Sequence, residues 1–178
     1  ELFASEPVAR AFAFRGGTAL HKLFLAQPGR YSEDIDLVQT EPGAIGTALD
    51  AIRSCLDSWL GEPKRDQSRG TATLMYRFET TALPVQRIRL KVEINTREHE
   101  TVFPVRRYPF GVENAWYQGR TQIVSFEPEE LFGTKLRALL ERRKNRDLFD
   151  LNEGLKQLHM DPAKLIRCFE HYLSLEGV

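Results

Sequence analysis

From Phe14 to Val38 the chain reads F-R-G-G-T-A-L-H-K-L-F-L-A-Q-P-G-R-Y-S-E-D-I-D-L-V. The glycine pair Gly16-Gly17 admits a tight turn that side chains would block, so a short strand at Phe12 to Arg15 passes directly into a helix. That helix is expected over Ala19 to Ala26, with Thr18 as N-cap, Leu20, Leu23 and Phe24 as its buried stripe, and Pro28-Gly29 as its end. The next alternation, Asp34-Ile35-Asp36-Leu37, predicts a half-buried strand from Asp34 to Gln39. On such a strand both carboxylates project from one face while Ile35 and Leu37 enter the core.

A glycine turn that opens a helix suits polyphosphate, because amides without partners and the positive end of the helix dipole face the same point. Gly16 and Gly17 let backbone amides approach the phosphates, and Thr18 and Ser32 add hydroxyl donors. Two carboxylates on one strand face suit a divalent metal. A third comes from the segment Val85 to Asn95, where Ile88, Leu90, Val92 and Ile94 alternate with Arg87, Arg89, Lys91 and Glu93. With Asp34 and Asp36, Glu93 completes a set able to hold two magnesium ions about 4 Å apart, the arrangement that serves in-line displacement at phosphorus. Competing motifs fail locally. An EF-hand loop needs a glycine and oxygen ligands after Asp36 and finds Leu37-Val38; a P-loop ends in G-K-[ST], and here Gly17 is followed by Thr18-Ala19.

Elsewhere the periodicities are plain. Ile45, Ala48, Leu49, Ile52, Leu56 and Trp59 recur at three and four, predicting a helix over Ala44 to Leu60 closed by Gly61. Residues 62 to 70 have no apolar residue to bury and read as an exposed loop. Thr71 to Thr80 and Val85 to Asn95 read as strands of a hairpin turning at Leu83-Pro84. Thr96 to Gly119, rich in Pro, Gly and aromatics, is expected to hold one irregular strand, and Thr121 to Phe126 a last one. Pro128 and Glu129-Glu130 mark the start of a helix over Leu131 to Lys144. Asn145 is then expected as a left-handed cap, Asp147 as the N-cap of a helix over Leu148 to Leu158, and Asp161-Pro162 as the opening of a final helix. That last helix has Leu165, Ile166, Phe169, Tyr172 and Leu173 on its apolar face.

These elements predict an α/β (α+β) fold, a mixed twisted sheet flanked by helices. Residues 1–126 would form the core and residues 127–178 a helical part packing on its cleft, in one compact unit. Net charge is zero, with 25 basic and 25 acidic residues, so overall charge makes no case for nucleic acid. Its distribution does more: Lys135 to Arg146 carries six basic residues against Glu141, while Ser32 to Asp36 is acidic, as expected of a metal pocket facing a basic wall. No apolar run approaches the roughly 20 residues of a membrane helix, and Cys55 and Cys168 fit neither a disulfide framework nor a zinc site; a cytoplasmic home is the expectation. The sequence opens on Glu1 rather than Met, as expected of a fragment trimmed at a leading helix.

F-R-G-G-T-A-L-x-K with R-Y-S-E-D-I-D-L resembles the first motif of the AbiEii/AbiGii toxin family of nucleotidyltransferases, within the polymerase-beta-like superfamily. L-F-x-T-K-L-R-A-L-L-x-R-R-K-x-R-D-L-F-D-L resembles that family's third and fourth motifs. The resemblance implies magnesium-dependent transfer of a nucleotide from an NTP, with Asp34 and Asp36 as metal ligands. It further implies Lys135 as a phosphate- or nucleotide-contacting base and Asp147 as a further active-site acid. Read alone, Lys135 is a helix-surface lysine. On a regular helix Lys135, Arg142 and Arg146 fall within about 20° of one another, giving one basic stripe toward the pocket, and Lys22 lies where the family often has a basic residue. Arg15 stands where a lysine is common, and sixteen residues separate Gly17 from Asp34, a longer interval than the superfamily's.

The resemblance also implies the toxin half of a bacterial toxin–antitoxin or phage-defence pair, with a cognate antitoxin as partner. RNA, in particular the tRNA 3′ end, is the favoured acceptor. A small molecule or a protein side chain as acceptor, or a nucleotide-binding module without catalysis, are the alternatives.

Overall fold

The computed structural model describes residues 1–26, 29–30 and 34–175. A single 3-10 turn at Leu2–Ala4 leads into α1 (Glu6–Ala11), β1 (Phe12–Arg15), α2 (Gly16–Leu23) and β2 (Asp34–Gln39). Helix α3 (Gly46–Leu60) follows, then the strands β3 (Lys64–Ser68), β4 (Thr71–Glu79), β5 (Arg87–Asn95), β6 (Arg106–Glu113) and β7 (Gln118–Ser125). Three helices complete the chain, α4 (Pro128–Arg142), α5 (Asn145–Gln157) and α6 (Pro162–Ser174). The strands form one seven-stranded sheet in the order β3-β4-β5-β2-β1-β7-β6. It is mixed: β2 runs parallel to β5 and β1 parallel to β7, and the remaining neighbours are antiparallel.

One face of this sheet is core. Ala72, Leu74 and Tyr76 of β4 and Val92 and Ile94 of β5 are fully or almost fully buried, and the Tyr76 hydroxyl donates to Asp57 of α3 at 2.9 Å, placing that helix over this face. Residues of opposite parity, among them Glu93 and Lys91, therefore point to the other face, where they line a cavity together with Lys135 and Arg137 of α4. Gly61 closes α3 with φ +78, as the sequence predicts, whereas Trp59 stands 62% exposed, its indole donating to the Cys55 carbonyl. On α6 the expected cap is present, Asp161 accepting from the Ala163 and Lys164 amides. Ile166 lies outside the apolar face, 52% exposed, and Cys168 and Tyr172 carry the burial instead.

Other expectations are corrected. The exposed segment 62–70 contains β3, an edge strand whose five side chains are all exposed. Its pairing rests on backbone bonds to β4, and periodicity cannot see a strand that buries nothing. Between residues 96 and 126 lie two long strands rather than one irregular and one short, β6 and β7 pairing from Arg106–Ser125 to Glu113–Gln118. The left-handed residue after α4 is Arg143 (φ 49), not Asn145. Asp147 is not an N-cap: it lies inside α5, fully buried, and Lys144 holds the cap position without a side-chain bond.

The C-terminal helices are tied to the sheet by buried polar bonds as well as by Phe126, Leu131 and Phe132 in the core. Glu130, read from the sequence as an acid at the positive end of a helix, is fully buried. It accepts from the amides of Val102 (2.8 Å) and Phe103 (3.1 Å) and from the Tyr172 hydroxyl (2.7 Å), so one carboxylate joins α4, the loop before β6, and α6. Gly133 lets α6 approach, since a methyl group there would sit 2.7 Å from Cys168 Cβ and 2.9 Å from the Phe169 nitrogen. Cys55 and Cys168 are free thiols. Substituting Glu130→Ala leaves the buried Tyr172 hydroxyl and two half-buried amides without their acceptor, and is expected to lower stability by about 1–3 kcal/mol. The shift in urea midpoint at constant m-value checks it.

Candidate active site

Strand β1 delivers the chain to Gly16, whose φ of +80 turns it directly into α2. Helix α2 thus begins at Gly16, three residues before the expected start, and Thr18 is not its cap. The Thr18 hydroxyl instead donates to the Asp34 carbonyl at 2.6 Å, fastening the glycine turn to the start of β2. A methyl group at Gly16 would collide with the Asp36 carboxylate, and one at Gly17 with the Arg30 guanidinium. Both glycines are needed for close approach, and at Gly16 for the backbone conformation as well.

Asp34 and Asp36 occupy β2 as predicted, and the parallel register sets Asp36 beside Glu93 and Asp34 beside Lys91. The three carboxylates therefore share a sheet face. Burial, then the charges of Glu93 and Asp34, push the Asp36 carboxyl above its ordinary range, against the pull of Arg15 and Lys135. Glu93 is ion-paired with Lys91, and among the described residues no group of three or more His, Cys, Asp or Glu is gathered closely enough to grip a metal ion. The donor set nevertheless fits a divalent cation. Its oxygens are hard ligands, and the raised Asp36 marks negative charge that the protein's own cations leave incompletely compensated.

Opposite the carboxylates, α4 and α5 supply the basic wall. Lys135 is buried at 7% exposure, its ammonium 3.1 Å from Asp147 Oδ1 and 2.9 Å from Asp150 Oδ2. Arg142 reaches the same Asp147 oxygen at 3.2 Å. The expected stripe is not one helical face, because Arg143 breaks the helix and Arg146 belongs to α5. The break brings the residues together all the same. Lys135, Arg142 and Arg146 line one cavity of about 310 Å³ with Gly16, Gly17, Arg30, Asp34, Asp36 and Glu93.

Asp150 is a residue that sequence reasoning passed over. It is fully buried, and it accepts from Arg30 Nε and Nη2 at 2.7 Å each, meets His21 Nε2 at 3.0 Å, and pairs with Lys135. Burial alone would raise its carboxyl, but the Arg30, Lys135 and His21 contacts outweigh it and hold the group well below the usual carboxylate range. The signal was present in R-D-L-F-D-L, whose aspartates are three apart and so share a helix face. Arg15 and Arg137, also lining the cavity, converge on Glu98, whose carboxyl burial would raise and the two guanidiniums lower, with a net fall.

One predicted site residue stands apart. Lys22 is exposed and its ammonium lies 6.0 Å from the Phe110 ring centroid, away from the cavity lining. Ser32 lies outside the described residues.

The fold is similar to that of solved structures described as nucleotidyltransferases or nucleotidyltransferase-like. MenT4, a nucleotidyltransferase toxin from Mycobacterium tuberculosis H37Rv, superposes with a TM-score of 0.63 at 21% identity, covering 90% of this chain and 55% of its own. JHP933 from Helicobacter pylori gives 0.57 at 22% identity, covering 85% and 61%. An antigenic nucleotidyltransferase-like protein from Paracoccidioides brasiliensis gives 0.53 at 16%, covering 93% and 80%. The chain thus spans between half and two thirds of the first two. Residues 2–178 match the model of the nucleotidyl transferase AbiEii toxin family of type IV toxin–antitoxin systems, and the chain belongs to that family. A comparison with curated proteins gave no match.

Two variants probe the site. Gly16→Ala places a Cβ at φ +80 and against Asp36, and is expected to cost about 1–3 kcal/mol in stability and to weaken nucleotide binding by calorimetry. Asp150→Asn is expected to be less stable than the parent at neutral pH. Because the folded carboxyl titrates below its unfolded value, the parent's advantage is present above about pH 4 and shrinks as pH falls further. Urea titrations across that range measure it.

Proposed function

We propose that the chain transfers a nucleotide from an NTP to an acceptor hydroxyl, with RNA, in particular the 3′ end of tRNA, as acceptor. The observation that carries this reading is the register of β2 on β5, which sets three carboxylates on one sheet face across a cavity from Lys135 and the Gly16-Gly17 turn. Asp34 and Asp36 would hold magnesium, with Glu93 joining them once Lys91 releases it. Bound there, the ion would offset the charge of the triphosphate and lower the pKa of the attacking hydroxyl.

The chain's own groups do the rest. Backbone amides at Gly16 and Gly17 receive the phosphates where no side chain intervenes. Lys135 and Arg142, held in place by Asp147, place positive charge against the triphosphate, and Asp150 keeps Lys135 and Arg30 from drifting into solvent. The acceptor oxygen forms a bond to the α-phosphorus and the bond from that phosphorus to the α–β bridging oxygen breaks. Pyrophosphate leaves with the electron pair, and the hydroxyl proton passes to solvent. Family membership supports a cognate antitoxin as the partner that restrains this activity.

The test is incubation with each α-labelled NTP, magnesium and total tRNA. Label is expected on RNA, reduced at least about 100-fold in Asp36→Ala, as for loss of a metal-orienting or transition-state group. Tight NTP binding without label on RNA, protein or small molecules would overturn the reading.

A further inference from the structure

Arg15 closes β1 immediately before the glycine turn, and its partner across the antiparallel ladder is Asp36. Directly opposed residues share a face, so the Arg15 side chain leaves the sheet beside the D-x-D carboxylates and lines the same cavity. An arginine and a carboxylate so placed ordinarily close on each other, and two parallel N–H···O bonds make such a pair strong. Here they do not. Among the described residues no side-chain hydrogen bond or ion pair joins Arg15 to Asp36, and Arg15 Nη1 donates instead to Oε2 of Glu98.

Glu98 is held in place for this contact. The turn after β5 is fixed by the Asn95 side-chain oxygen, which accepts from the amides of Arg97 at 2.9 Å and Glu98 at 3.0 Å. The other carboxylate oxygen of Glu98, Oε1, accepts from both Nη1 and Nη2 of Arg137 on α4 at 3.1 Å. That guanidinium is itself anchored: it donates to the Tyr172 carbonyl at 3.3 Å, lies 5.7 Å from the Tyr172 ring centroid and pairs with Glu141 at 3.4 Å. Only 12% of the Glu98 side chain is exposed. Glu98 thus divides its oxygens, one to an arginine held from several sides and one to an arginine at the cavity. The Arg137 fork alone ties the turn after β5 to α4, and the second oxygen aims Arg15.

We propose that Glu98 is a positioning residue: it holds the Arg15 guanidinium off Asp36 and toward the α-phosphoryl group of the bound NTP. The proposal rests on the reading that the chain transfers a nucleotide. With Arg15 drawn aside, Asp36 keeps its oxygens for a divalent cation. The guanidinium stands beside both the glycine turn and the carboxylates, where negative charge moves as the α–β bridging oxygen leaves. Without Glu98 the guanidinium falls back on Asp36, so one change withdraws charge from the phosphoryl group and blocks a metal ligand.

The experiment reads metal binding apart from turnover. Mn2+ affinity is measured by electron paramagnetic resonance, and kcat and KM for NTP in the labelled-NTP assay, for the parent, Glu98→Gln, Arg15→Met and the double variant. Urea midpoints report the folding of each. Glu98→Gln is expected to bind Mn2+ roughly tenfold more weakly, as when a group that orients a metal ligand is lost. Arg15→Met binds it at least as tightly as the parent, and the double variant recovers the parent's affinity, because the arginine that would close on Asp36 is gone. In all three kcat falls about 100-fold while KM for NTP holds. Glu98→Asp, which keeps the charge and shortens its reach, carries the same test where the amide variant does not fold.

Unchanged Mn2+ affinity in Glu98→Gln, a double variant that binds Mn2+ no better than Glu98→Gln, or parental kcat in Arg15→Met overturns the positioning role and leaves nucleotide transfer standing. No Mn2+ binding by the parent overturns it as well. Mn2+ binding that depends on Glu98 and is restored by removing Arg15, in a chain that transfers nothing, upholds the hold on Arg15 and sinks the transfer reading.

Discussion

The site depends on one buried anion. Asp150, with no exposed surface, is the point at which α2 through His21, the segment before β2 through Arg30, and α4 through Lys135 are joined to α5. A buried carboxylate without partners is expensive, and one with three cationic or imidazole donors is held firmly in its charged state. Its reach is long. The same Arg30 that it grips lies over Gly17, so the space in front of the glycine turn is shaped from α5. A chain lacking Asp150 would keep its carboxylates on β2 and β5 and lose the placement of the cations that face them.

Much of this was legible in the sequence, for reasons that can be named. Asp34, Asp36 and Glu93 alternate with buried apolar residues, so their common face follows from strand periodicity alone, and the register of β2 on β5 brought them side by side. Gly16 announced a backbone need that the structure meets at φ +80. What stayed hidden were contacts between distant segments. Thr18 donates to a carbonyl sixteen residues away, Glu130 accepts from loop amides and from a tyrosine on another helix, and Asp147 accepts from a lysine on the preceding helix. Each of the three has a local reading at a helix start, as a cap or a dipole partner, and each was claimed instead by a tertiary partner. Local rules assign a polar residue its nearest use, and burial overrules them.

The helix break at Arg143 shows the same logic in geometry. A continuous helix would have carried Arg146 onward with α4, away from the sheet. The left-handed residue reverses the chain, so Asp147 and Asp150 come back over Lys135 and the basic residues on either side of the break line one cavity. The wall is built from two short helices folded on each other.

The all-polar composition of β3 reaches beyond that strand's own pairing. Lys64 to Ser68 forms one border of the sheet with charged or amide side chains at its first four positions, and β6 forms the other with Arg106, Arg107 and a proline at position 109 that has no N–H to offer. Both borders are thereby hostile to an added strand. A strand approaching from another chain would meet charged side chains at one border and a missing donor at the other.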